Sequence, residues 1–441
     1  MRKPAIDWTP PEITNPRLYK NPVETYHCTL VTPLYGGGVT AGMVDEKMPI
    51  RVTTIRGQLR FWWRIAHKKN YLNANNTLDS QAMFKDEQDI WGGLGDSNSL
   101  TASKVMVSVS EIKHQRTEEC ASYDKKDGKT KTFPSWKPWA GGTVGGYALF
   151  PGQGKASARG VEKAPAKLLK PGASWVLEVQ YSDDCTAEQQ KEVNTALRWW
   201  ASFGSVGGRG RRGLGAIQIT ELQNISPAEA KESQCTLILQ GKGNGHSEAL
   251  QAWKEGLKTL QQFRQGKGIG RNPGAEPNKP GRSRWPEPDA IRRITHRNAS
   301  AHRPEHPAGN FFPRAQFGLP IIFHFKDRDE PQDATLKPVD AERMASPLII
   351  RPYFNRDDEQ WYPAALYIGL APVELELSSG RTTSPVIAWP KTESEKQKAV
   401  ENIHPLSGVA RVLSNKLQKP ISPISAFLNY FKNPKQFFKE N

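Results

Sequence analysis

The order of predicted elements points to an α+β fold. Three observations carry this: strand-like alternation in residues 23–32, helical spacing of apolar residues in 55–72 and 187–203, and the succession these make with their neighbours. Residues 23–32 (VETYHCTLVT) alternate polar and apolar side chains, as a half-buried strand does. Gly36, Gly37 and Gly38 form a turn. In residues 55–72, Leu59, Trp62, Trp63 and Ala66 recur at helical spacing and make a core face. Residues 104–112 and 175–181 predict two further strands. Residues 187–203 predict a helix with Val193, Leu197 and Trp200 on one side, and 214–220 predict a strand. The order strand, helix, strand, strand, helix, strand is the split βαβ, or ferredoxin-like (RRM-like), arrangement, assigned here to residues 1–230.

A second unit occupies residues 231–441. Residues 235–240 predict a strand and 247–263 a helix. Residues 266–309 are rich in Gly, Pro and Arg and show almost no apolar periodicity. They are too long for an ordinary connector and mark a basic insertion of about residues 264–316. Residues 319–326, 346–353, 364–370 and 373–377 predict strands. The tail aromatics Phe427, Tyr430, Phe431, Phe437 and Phe438 are expected to dock on the protein's own core, a partner surface being the alternative. The proline-rich start, through Asn21, is expected to be extended.

Charge narrows the function. Lys and Arg number 61 against 45 Asp and Glu, a net +16, which attracts polyanions. Nucleic acid is the first such partner, anionic membrane the second, and a merely basic soluble protein the bland alternative. Cys28, Cys120, Cys185 and Cys235 form no CxxC pair, which argues against a zinc knuckle or a disulfide scaffold. Reduced thiols suit the cytosol. The start MRKPAIDWTPPEI has no apolar signal-like run, and no stretch approaches the ~20 apolar residues that span a bilayer. A soluble cytoplasmic protein with no cofactor and no membrane partner is expected.

Three constellations suit a phosphate backbone. The first joins Gly36, Gly37 and Gly38 to Arg51, Arg56, Arg60 and Arg64, the last three spaced to share one helix face. Guanidinium forks match phosphate oxygens, and glycines let amides approach them. The bland alternative is a solvated charged face. The second is FGSVGGRGRRGLGAIQI (203–219), with Gly207, Gly208, Arg209, Arg211 and Arg212. Its G-x-G-x-x-G lies between a helix and a strand, the wrong order for a dinucleotide site, and no P-loop pattern is present. Residues 212–217 follow an RRM outline, but Leu214 and Ile219 replace the stacking aromatics, leaving a phosphate cradle or a mobile basic turn. The third is the basic insertion. Arg264, Lys267, Arg271, Lys279, Arg282, Arg284, Arg292, Arg293, Arg297 and Arg303 stand within residues 264–303 against only Glu276, Glu287 and Asp289. Trp285, among these arginines, either stacks on an unpaired base or pins the loop to the body.

The segments IRGQLRFWWR (55–64), GSVGGRGRRGLG (204–215), GRSRWPEPDAIR (281–292) and ASPLIIRPY (345–353) together resemble the RAMP superfamily of CRISPR-associated proteins, nearest to the first subunits of the Cmr series in type III-B RNA-targeting complexes. The resemblance runs from about Thr25 to Tyr362. It implies two tandem ferredoxin-like units with long inserted loops. It also implies contacts with the 3′ part of the crRNA and the 5′ part of the target RNA, and partners among the other Cmr subunits, including the polymerase-like and repeated backbone ones.

Some members of that superfamily cut RNA, which needs one group to deprotonate the 2′-hydroxyl and another to protonate the leaving oxygen. His27 and His324 lie in apolar strands and are expected to be core residues. His296, His302 and His306, in the basic insertion, are the better candidates. Asp45, in GMVDEKMPIR, falls near the place where the family's backbone subunits carry a cleaving aspartate. Its spacing to Arg51 is one residue longer than in that pattern, and a non-catalytic subunit is expected.

Overall fold

The computed structural model describes residues 18–94, 100–241, 243–274, 281–369, 373–413 and 419–438. Most of the proline-rich start lies outside the described residues, as do Glu276, Lys279 and Leu370. The first unit runs β1 (Glu24–Leu30), α1 (Val52–His67), α2 (Ser80–Trp91), β2 (Val105–Lys113), α3 (Gly142–Leu149), β3 (Ser174–Tyr181), α4 (Ala187–Phe203) and β4 (Ile217–Ile219). Its sheet has the order β4-β1-β3-β2 with every neighbour antiparallel, and Glu24 opposite Val179 sets the central register. Tyr26, Cys28 and Leu30 point inward at alternate positions, as the sequence pattern requires. Thr186 and Gln189 cap α4 with a reciprocal capping box. Trp62 of α1 stacks on Trp199 of α4 with centroids 5.8 Å apart, which seats both helices on the sheet.

The second unit continues with α5 (Pro227–Glu232), β5 (Thr236–Leu239), α6 (Ala249–Gln265), α7 (Glu287–Thr295), β6 (Ile321–Phe323), β7 (Ala334–Pro338), β8 (Leu348–Asn355), β9 (Gln360–Tyr367), β10 (Leu375–Ser379) and β11 (Thr382–Val386). Helices α8 (Glu393–Asn402), α9 (His404–Leu413) and α10 (Pro423–Lys432) close the chain. Here the arrangement departs from a second complete ferredoxin-like unit. Among the described residues β5, β9 and β8 form a three-stranded sheet backed by α6. The strand that follows, β10, instead pairs with β7 in a separate sheet ordered β6-β7-β10-β11.

The cores cross the 230/231 boundary. Leu237, Ile349, Tyr353, Ala364 and Leu366 join the cluster of the first unit. Conversely, Ala148, Leu149, Leu168 and Leu214 join that of the second. The tail aromatics dock on the body, Phe427 and Tyr430 meeting Phe263. The four cysteines are buried. Among the described residues no helix is long and apolar enough to cross a membrane.

Two segments differ from the sequence reading. The basic insertion is a packed element, since α7 buries Ala290 and Ile291 beside Phe312. Residues 114–173, to which the sequence pattern assigned nothing, fold into short hairpins and α3. Glycine is a poor helix former, so GTVGGYAL carries no helical signal. Packing supplies one instead: a Cβ on Gly141 would stand 2.7 Å from the Trp253 ring.

Candidate nucleic-acid interface

The two glycine segments meet. The amide of Gly208 donates to the Tyr35 carbonyl at 2.6 Å, and a Cβ on Gly37 would lie 3.1 Å from the Gly207 Cα. Gly36 and Gly37 have positive φ, as do Gly207 and Gly213, and Gly38 donates to Met43. The second loop is closed at its neck, where Val206 donates to the Gly215 carbonyl at 2.9 Å. Gly213 is required by close approach, because a Cβ there would meet the Ile350 carbonyl and the Trp253 ring at 2.6 Å. Arg351 holds the base of the loop from the second unit. It is fully buried and donates to the carbonyls of Gly204 at 2.7 Å and Ile217 at 2.8 Å. Burial pulls its guanidinium down to about 9.

Arg209 and Arg212 lie beside α3, and Arg211 lies over α1. Among the described residues none of Arg209, Arg211 and Arg212 pairs with a carboxylate. Arg209 donates to the Ala148 carbonyl. Arg211 lies over the Phe61 ring, 5.2 Å from its centroid, with Nη1 buried and lacking a partner. Arg212 reaches the Arg211 carbonyl at 3.1 Å. Burial pulls Arg212 down to about 10, with repulsion from Arg264, Arg209 and Arg211 adding to it. At neutral pH it stays charged. Arg264 donates to the Tyr147 hydroxyl at 3.0 Å. Burial pushes the Tyr147 phenol up, yet Arg264, Arg212 and Arg209 outweigh it and the net shift is down. The place is therefore electropositive, and among the described residues no carboxylate balances it.

The other arginines are engaged within the fold, which runs against the open helix face expected for α1. Arg60 and Arg64 both bind Glu87, a buried carboxylate of α2, at 2.6 and 2.7 Å. Arg56 donates to the carbonyls of Trp91 and Val105. A separate helix, remote in sequence, supplies the acid, so no i,i+4 spacing could reveal it. Arg51 binds Asp45 at 3.0 Å. In the insertion Arg282 and Arg292 bind Asp289, and Arg292 also binds Glu330. Arg284 donates to Asn272 and the Gly268 carbonyl. Arg293 donates to Asn310 and three backbone carbonyls. Arg297 is exposed. Trp285 is 1% exposed, packs edge-on against Phe263 and donates to the Arg264 carbonyl, so it pins the loop.

The catalytic candidates are scattered. His27 on β1 and His324, one residue past β6, both expected in the core, are exposed and face Glu221 and Asp333. His296 ends α7 in left-handed conformation. His306 is drawn below its usual range by burial. Asp45 accepts from the amides of Met48 and Lys47 and from Arg51, and these bonds hold its carboxyl below the usual range. His302, Asp327 and Glu330 converge, but Arg292 already donates to both Glu330 oxygens.

Comparison with known proteins follows this geometry. Residues 27–218 match the family model of the RAMP superfamily. The chain is similar to the crystal structure of apo Cmr1 from Pyrococcus furiosus, at 16% identity over 80% of this chain and 89% of that one, with TM-score 0.39. It is also similar to a chain of the Type III-B Cmr-beta complex bound to cognate target RNA, at 10% identity over 87% and 99%, with TM-score 0.39. For a chain of a Type IV-B CRISPR complex the values are 14%, 46%, 93% and 0.28. No curated protein matches the sequence. The stretch that matches the RAMP superfamily model, residues 27–218, holds both glycine segments.

Proposed function

We propose that this protein is a non-catalytic, cytoplasmic RNA-binding subunit of a type III-B (Cmr) CRISPR effector. In this reading it contacts the 3′ region of the crRNA and the 5′ region of the target RNA beside other Cmr subunits. One observation carries the proposal. Arg209, Arg211 and Arg212 stand on the glycine loop that meets the first glycine segment, with no carboxylate to neutralise them among the described residues. Uncompensated guanidinium groups beside close-approach glycines suit phosphate oxygens. The RAMP match and the net charge of +16 agree with it. We read β5, α6, β8 and β9 as a shortened second ferredoxin-like unit whose buried Arg351 braces the RNA-contacting loop.

Non-catalysis is supported by Asp45, whose oxygens are already bound by Arg51 and two amides, leaving a weak base. Incubation of the purified protein with labelled RNA in EDTA should leave the RNA intact; cleavage lost in Asp45→Ala would overturn this part. Binding is tested by affinity for single-stranded RNA against salt, whose logarithmic slope is about −0.7 per phosphate neutralised. Arg211→Gln should flatten that slope with the fold intact by circular dichroism. An unchanged slope in Arg211→Gln and in the triple alanine variant of Arg209, Arg211 and Arg212 removes the loop as a backbone site.

A further inference from the structure

A cleft of about 380 Å³ lies between α7, β6 and the loop that carries Trp285. Four arginines line it, Arg271, Arg282, Arg292 and Arg314, against a single lining carboxylate, Asp289. Further carboxylates stand around the lining, and each is committed: Glu305 pairs with Arg282, Asp327 with His302 and Asp333 with His324. Glu287, fully buried, pairs with Arg314 at 3.1 Å, and Glu330 pairs with Arg292 and His302. Asp289 is shared by Arg282 and Arg292. Among the described residues Arg271 has no carboxylate, and its Nη1 reaches only the Gly281 carbonyl, at a long 3.4 Å.

Arg314 is itself imperfectly satisfied, since its 3.1 Å contact with Glu287 is not aligned as a hydrogen bond and Nε has no other partner among the described residues. Arg271 and Arg314 thus face one cavity as like charges, an arrangement that an anion between them relieves. Burial, and then repulsion from Arg314, pull the Arg271 guanidinium below its ordinary range. The rest of the wall is aromatic. Phe325 and Phe323 lie under the guanidinium groups of Arg292 and Arg314, each 5.4 Å from centroid to carbon. Stacked arginine planes offer flat faces to a planar ring. The volume falls in the range of about 300–1,000 Å³ typical of small-molecule sites and exceeds what a bare oxyanion needs.

We propose that this cleft binds a nucleotide, with the phosphate monoester held between Arg271 and Arg314 and the base over the arginine–phenylalanine stacks. The phosphate comes either from a free nucleotide or from the end of an RNA strand. The cleft stands on its own residues, so it does not depend on the RNA-binding reading of the glycine loops.

The test is calorimetric titration of the full chain at low salt with AMP and adenosine. A parallel arm uses a short RNA with and without a 5′ phosphate. AMP should bind and adenosine should not, and Arg271→Ala should weaken AMP by about tenfold or more, the loss of one charge-assisted bond. If free nucleotide fails but the phosphorylated RNA binds better than its hydroxyl form, and Arg271→Ala abolishes that difference, the RNA end is the source. Equal binding of adenosine and AMP, binding unchanged in Arg271→Ala, or no preference for phosphate in either arm would overturn the proposal. Arg271→Ala orphans no buried acid, and Arg271→Gln serves as the reading should it fail to fold. Salt dependence on long RNA, measured in the same variant, reports the glycine loops separately.

Discussion

Arg264 donates to the Tyr147 hydroxyl at 3.0 Å, and its own carbonyl accepts the Trp285 indole at 2.9 Å. The end of α6 thereby ties the phenol of α3 and the basic insertion to the underside of the glycine loop. The phenol is an acid whose folded pKa lies below its ordinary value of about 10. Stability from its ionised form is complete above that ordinary value and is lost as pH falls through the lower folded value. Urea unfolding of the wild type and Tyr147→Phe should therefore diverge as pH rises from neutral to about 10. A constant difference would mean that the arginines do not favour the phenolate.

Glycine in the arginine-rich loop answers to packing. Gly213→Ala forces a side chain against the Ile350 carbonyl and Trp253 at positive φ, and should cost about 2 kcal/mol or more. Gly57, mid-way along α1, has open space to 4 Å around the place a Cβ would take, so Gly57→Ala should add about 0.5–1 kcal/mol. Chemical denaturation of both variants checks the pair, and equal effects would refute the contrast.

Glu87 is the hub for Arg60 and Arg64. Glu87→Gln leaves two guanidinium groups uncompensated, one of them largely sheltered, and should destabilise by roughly 1–3 kcal/mol. RNA affinity should stay the same in the folded protein. A rise in affinity large enough to steepen the salt slope would show that these arginines reach RNA once released.

Arg351 bridges the units. Replacing it by Met removes a buried charge but strands the carbonyls of Gly204, Ala201 and Ile217. The net loss should be about 1–3 kcal/mol, with faster amide exchange concentrated in residues 204–217. Uniform protection across that loop would show that the arginine is not its brace.

Period-2 and period-3.6 patterns located the first sheet and its two helices closely, because each buries one face and water enforces the alternation. Trp62, Trp63, Val193 and Leu197 stand inside where their spacing put them. What escaped was set by distant neighbours. A run such as GTVGGYAL has no intrinsic helical preference, and its glycines answer to the rings packed around it, Trp253 at Gly141 and Trp136 at Gly146. The role of Arg60 depends on Glu87, and that of Trp285 on Phe263, both remote in sequence. The glycine–arginine loop was readable as a feature, while the brace beneath it was not, although an arginine within LIIRPYF is a visible oddity.

The interleaved cores carry a consequence for any attempt to divide the chain. A fragment ending near residue 230 would bare the surfaces on which Ile349, Tyr353 and Leu366 rest. Its complement would hold Arg351 with no carbonyls from the other half to receive it. The halves should melt in one transition and stay insoluble apart, and co-expression should be the only route by which they rejoin.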